Sequence, residues 1–96
     1  MITRIVKLSI SSHQSDDFEA FFNENKAIIN SFSGCIHVEL LKEQKGGNVF
    51  FTYSHWESSP ALENYRNSTI FKTIWGKTKT FFCDRPEAWS LNKIDK

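Results

Sequence analysis

Residues 35–62 read CIHVELLKEQKGGNVFFTYSHWESSPAL. Residues 35–43 are apolar and β-branched at spaced positions, the pattern of a strand. Lys45-Gly46-Gly47-Asn48 follows, and two adjacent glycines accept positive φ without steric cost, so a tight turn is expected there. Residues 49–56, VFFTYSHW, then run back as a second strand antiparallel to the first. Directly after it, Ser58-Ser59-Pro60 combines a capping hydroxyl with a proline in the first turn, a strong signal for the start of a helix. A hairpin that runs into a capped helix is half of a split β-α-β unit.

Upstream, residues 2–10 (ITRIVKLSI) form a further strand. Ile2, Arg4, Val6, Leu8 and Ile10 share one face, and Thr3, Ile5, Lys7 and Ser9 the other. The polar loop Ser11-Ser12-His13-Gln14-Ser15 leads to a helix. Ser15 or Asp16 is its expected cap, and Asp16 with Glu19 resembles a capping box. Phe18, Phe21, Phe22, Asn25, Ile28, Ile29 and Phe32 recur at three- and four-residue steps, which makes one apolar stripe. Gly34 is read as the left-handed cap that ends it.

Downstream, Leu62 and Tyr65 are the apolar points of the second helix, and Ser68 restarts or kinks it. Ile70, Phe71, Ile74, Trp75, Phe81 and Phe82 mark one face, with Lys72, Lys77 and Lys79 outside it. Gly76 within this run suggests close packing or room for a ligand. Asp84-Arg85-Pro86 stops the helix, and residues 87–94 alternate as a short last strand. The order β-α-β-β-α-β is that of an α+β, ferredoxin-like split βαβ fold, a four-stranded antiparallel sheet with its helices on one face.

Ninety-six residues are read as one domain, 1–96. Nine phenylalanines and an aromatic share of 15% exceed what one small core needs, so some rings are expected at a pocket or a subunit interface. A net charge of +1, with basic residues dispersed, disfavours nucleic acid. Cys35 and Cys83 lie far apart with no CxxC and no Cys/His cluster, so no metal site is expected. No apolar run reaches the roughly 18–20 residues of a membrane span. The chain start has no signal-peptide character, and the cytoplasm is the expected compartment.

Side chains alternate along a strand. On residues 49–56, Phe50, Thr52, Ser54 and Trp56 form one face, and Val49, Phe51, Tyr53 and His55 the other. Neither face is plainly polar. With helices on one side only, the second side needs a cover, and a second copy of the chain is the expected one. Phe71 and Trp75 lie one helical turn apart. If their face meets the sheet, they bound a pocket together with Thr52 and Trp56. His55 adjoins Trp56 but points to the other face, the expected dimer side, from which it could act on a ligand. His37 is its neighbour on the paired strand. Tyr65 could orient a phenolic ligand through its hydroxyl, and Arg66 could pair an anionic group.

Gly34-Cys35-Ile36 before a strand carrying Glu39, then Trp56-Glu57-Ser58 with Ala61-Leu62, and finally Ser68-x-x-Phe71, resemble the antibiotic biosynthesis monooxygenase family, within the dimeric α+β barrel superfamily. The resemblance runs from about residue 3 to residue 92. It implies a cavity between sheet and helices, lined by a tryptophan of the third strand, in which a polycyclic phenol or quinol is oxidised by O₂ without flavin, haem or metal. Trp56 matches that tryptophan. Some members place an asparagine four residues before it, where this chain has Thr52. Relatives that degrade haem use an asparagine on the first strand and a histidine on the second helix. Here Lys7 and Trp75 fall near those positions, so haem chemistry is not expected.

The expected function is thus a monooxygenase that needs no cofactor and acts on a small aromatic or quinol-like metabolite. Its catalytic candidates are Trp56 and Thr52, and its substrate-binding candidates are Tyr65, Phe71, Trp75, Phe50 and His55. The alternatives are a non-catalytic dimeric module that binds small molecules or responds to stress, and an isomerase or lyase using His55 or His37 as acid or base.

Overall fold

The computed structural model describes residues 1–95. Strand β1 (Ile2–Ser9) is followed by a 3₁₀ turn at Ser12–Gln14 and helix α1 (Ser15–Asn30). Then come β2 (Cys35–Lys42), β3 (Val49–Trp56), α2 (Ser59–Arg66), α3 (Thr69–Lys79) and β4 (Glu87–Leu91). The sheet order is β2-β3-β1-β4, with every neighbouring pair antiparallel. This is the expected ferredoxin-like α+β fold.

The local signals translate unevenly. Ser58 caps α2, its hydroxyl accepting from the Ala61 N–H at 3.2 Å, and Pro60 sits in the first turn. Ser68 does start a new helix, accepting from the Phe71 N–H at 3.0 Å. The expected cap of α1 is absent. Residue 14 occupies the cap position and no side chain bonds the first-turn amides, because the preceding 3₁₀ turn, closed by Gln14 N–H to the Ser11 carbonyl at 2.8 Å, delivers the chain into the helix directly.

Gly34 has φ +90°, yet it does not cap α1, whose C-cap is Ser31 in right-handed geometry. Its role is close approach. A β-carbon built at Gly34 would lie 2.5 Å from that of Ala61, and the Gly34 carbonyl accepts from the Glu57 N–H at 2.9 Å. Gly34 therefore lets the start of β2 press on the first turn of α2. Gly76, by contrast, faces open space on α3, so close packing does not explain it.

Other boundaries also shift. The hairpin loop spans 43–48 instead of four residues, and Asn48 fastens it by exchanging hydrogen bonds with the backbone of Ile10. Residues 80–86 form a loop after α3, from which Phe81 folds back into the core, and β4 stops at Leu91. Ile28 and Ile70, assigned to the apolar stripes, are 45% and 40% exposed. On α3 the inward position is taken by Thr78, whose hydroxyl is satisfied by the Ile74 carbonyl at 2.7 Å.

The helix-facing side of the sheet carries two buried clusters. One joins Phe22, Ile29, Val38, Trp56, Leu62 and Tyr65. The other joins Leu8, Ile10, Phe18, Phe50 and Phe81, with the Phe18 ring edge-on to both Phe50 and Phe81. Among the described residues no helix is long and apolar enough to cross a membrane.

Candidate functional site

The two clusters do not close on one another. Between sheet and helices lies a cavity of about 300 Å³, the lower end of the range for small-molecule sites. Its floor is the inward face of β1 and β3. Arg4, Val6 and Leu8 contribute from one strand, and Thr52, Ser54 and Trp56 from the other. Val6 pairs with Thr52 and Arg4 with Ser54 across the ladder, so the alternation read from the sequence places these side chains side by side. Helix α1 roofs the cavity with Phe18, Phe22 and Asn25. Helices α2 and α3 supply Tyr65, Phe71 and Trp75. Pro86 and Ala88 also line it, and β4 is exposed along its whole length, so the cavity reaches the surface at that edge.

Five of the seven candidates read from the sequence meet here: Trp56, Thr52, Tyr65, Phe71 and Trp75. Phe50 shares their strand face but is spent inside the second cluster, against Phe18, and does not line the cavity. His55 lies on the opposite face of the sheet, as the alternation requires. Its Nδ1 sits 3.1 Å from the Thr3 hydroxyl, and its ring meets Tyr53 edge-on at 4.8 Å. With Met1, Thr3, Tyr53, Asn92 and Lys93 it borders a second hollow there. His37 pairs with His55 in register, ring centres 6.4 Å apart, and its Nε2 lies 3.6 Å from Glu39. Neither histidine lines the cavity. No group of three or more metal-ligating side chains occurs among the described residues.

Trp56 is almost fully buried, at 1% exposure, and its indole N–H donates to Ser54 Oγ at 3.0 Å. Its N–H is therefore already engaged within its own strand, and its ring is packed as part of the cavity wall. Tyr65 stacks on it, centroids 4.8 Å apart and planes 28° from parallel, and meets Phe32 and Phe71 edge-on. Phe71 in turn stacks on Trp75 at 5.9 Å. The result is a wall of contiguous π-surface. Burial pushes the Tyr65 phenol up to about 12, with a smaller contribution from the nearby Cys35 thiol. Tyr65 is thus a neutral hydroxyl at ordinary pH, able to donate and unsuited to act as a base.

Arg4 and Asn25 are among the lining residues that the reading of the sequence did not assign to the site. Arg4 is half-buried on the floor and its guanidinium donates to Ser90 Oγ at 2.8 Å. Burial lowers its pKa, the neighbouring Arg66 lowers it further, and Glu63 offsets part of this. The signal was present: Arg4 is the one charge on the otherwise apolar face Ile2, Val6, Leu8, Ile10. Asn25 lies in the apolar stripe of α1, its amide donating to the Phe21 carbonyl at 2.9 Å.

Residues 1–75 match the profile of the family described as antibiotic biosynthesis monooxygenase. Among solved structures, a Nitrosomonas europaea protein carrying the same family name superposes with a TM-score of 0.89 at 12% identity, covering 99% of this chain and 100% of that one. Rv0793 from Mycobacterium tuberculosis gives 0.87 at 14% identity, with 99% and 96% covered. SnoaB, a cofactor-independent oxygenase from Streptomyces nogalater, gives 0.87 at 15% identity, with 99% and 94% covered. At these identities the superpositions speak for the fold. No curated protein matches the sequence.

Proposed function

The chain belongs to the antibiotic biosynthesis monooxygenase family, and from that premise we propose that it is a cofactor-independent monooxygenase of a small aromatic or quinol-like metabolite bound between Trp56, Tyr65 and Trp75. The observation that carries this reading is the aromatic-walled cavity of about 300 Å³ left open inside a domain of 96 residues. In the reaction the deprotonated substrate gives one electron to O₂, and the radical pair combines to form a C–O bond. The O–O bond then breaks, one oxygen leaving as water and the other staying as a carbonyl. All four electrons that reduce O₂ come from the substrate, whose CH₂ carbon loses both hydrogens, one in the initial deprotonation and one as water leaves, and becomes the carbonyl carbon. The chain contributes an apolar, water-poor enclosure and an orienting π-surface, and the Thr52 hydroxyl on the floor can hold the reacting oxygen through a single hydrogen bond.

Oxygen uptake with anthrone-type and quinol substrates tests this. Wild-type protein should accelerate uptake over buffer, and Trp56→Phe and Thr52→Val, folded as judged by circular dichroism, should lower it about tenfold or more. Uptake unaltered by both substitutions would remove the cavity from the reaction. A binding module without turnover is favoured by one feature, the lack of any histidine in the lining. It predicts binding of the same compounds with no uptake. Under either reading the acting unit is a homodimer joined through the open face of the sheet.

A further inference from the structure

Three charged residues, Arg4, Arg66 and Glu87, are among those that line the cavity, and two of them are paired. Arg66 Nη1 holds Glu63 at 3.0 Å, and Glu87 meets Lys7 at 3.6 Å. Arg4 belongs to none of the ion pairs found among the described residues, and its one side-chain partner is the neutral Ser90 hydroxyl. A half-buried guanidinium has five N–H donors in a rigid fork, and one hydroxyl leaves most of them unused. On the sheet, Arg4 stands directly opposite Ser54, between the positions of Thr52 and Trp56 on the neighbouring strand. It also stands opposite Ser90 on β4, at the edge where the cavity reaches the surface. A ring lying on the Trp56 and Tyr65 wall would carry a substituent past Arg4 as it points to that edge.

Resting on the proposed aromatic ligand, we propose that the ligand is an aromatic carboxylate, whose acid group completes the charge pairing of Arg4. A carboxylate matches the guanidinium fork with two parallel hydrogen bonds. The partly desolvated setting strengthens such a pair relative to one in water. The same contact sets direction: the acid lies toward β4 and the ring system toward the aromatic wall.

Calorimetric titration of the full chain with 2-naphthoate and its neutral counterpart 2-naphthamide separates charge recognition from ring recognition. Wild-type protein should bind the naphthoate about tenfold or more tightly than the amide, and raised salt should narrow the gap. Arg4→Gln should weaken the naphthoate to within about threefold of the amide. Arg4→Lys, which keeps the charge and loses the fork, should fall between the two. Should Arg4→Gln fail to fold, the wild-type preference and its salt dependence decide the matter. Equal affinity of the wild type for both probes, or a preference that survives in Arg4→Gln, overturns the carboxylate while an amide that binds leaves the aromatic cavity standing. Binding of neither probe overturns both.

Discussion

Trp56 owes its position to its own strand: Ser54, two residues earlier on the same face, accepts its indole N–H, and Tyr65 covers its ring. This makes it a structural wall as well as the proposed ligand contact. Trp56→Ala should therefore cost about 3–5 kcal/mol of stability, seen as a lower denaturant midpoint, so loss of activity in that variant alone says little about chemistry. Trp56→Phe keeps most of the ring and should cost less, a contrast that overturns the wall role if the two variants unfold alike. Tyr65 yields a prediction with pH. Its phenol titrates near about 12 in the folded protein and near about 10 when unfolded. The folded state holds the proton more tightly, so stability is complete below about pH 10 and falls as pH rises to about 12, by about 2–3 kcal/mol in all. In a Tyr53→Phe variant, which leaves Tyr65 as the only phenol, ultraviolet difference absorbance should show a midpoint near 12. A midpoint near 10 would mean that Tyr65 is open to water.

At the scale of elements, two glycines that look alike in the sequence should respond oppositely to alanine. Gly34 has φ +90° and abuts Ala61, so Gly34→Ala should cost at least about 2 kcal/mol, from left-handed strain and displacement of α2. Gly76 sits on an exposed turn of α3 with nothing near a new β-carbon, so Gly76→Ala should stabilise by up to about 1 kcal/mol. Thermal melts of both variants check the signs. Strand period, the Ser58 and Ser68 caps and the hairpin were legible because each rests on contacts within a few residues. The missing α1 cap and the true role of Gly34 were not, because one depends on an unforeseen 3₁₀ turn and the other on a residue 27 positions away. The site divides in the same manner. Thr52 and Trp56 follow from strand alternation, and Phe71 and Trp75 from helical spacing. Phe50 obeyed the same alternation yet is consumed by packing with Phe18, which only the tertiary structure decides. Arg4 stood out as a charge on an apolar face, but its meaning needed Ser90 from the other end of the chain.

Across the whole molecule, helices cover one side of the sheet and leave the other with Leu41, Trp89 and Leu91 at 42–45% exposure beside the half-buried Ile5, Phe51 and Tyr53. This apolar surface runs over all four strands, with Lys7–Glu87 and His37–Glu39 pairs set among it. Water is a poor partner for so large an apolar area, and the proposed homodimer buries it face to face. Sedimentation at micromolar concentration should then give twice the 11.2 kDa chain mass, and Trp89→Lys should shift the protein toward the monomer by placing a charge in the apolar seam. A wild-type species of 11.2 kDa under those conditions would end the dimer reading. The consequence reaches the cavity, because β4 belongs to both surfaces: Trp89 looks to the open face while Ala88 and Ser90 look to the cavity and to Arg4. Fixing β4 in a dimer would therefore also fix the edge at which the cavity opens. Linkage requires the reverse as well, so a ligand bound against that edge should tighten the dimer. Sedimentation of dilute protein with and without saturating 2-naphthoate reads the coupling directly, and an unchanged dimer constant would show that the two faces of β4 act independently.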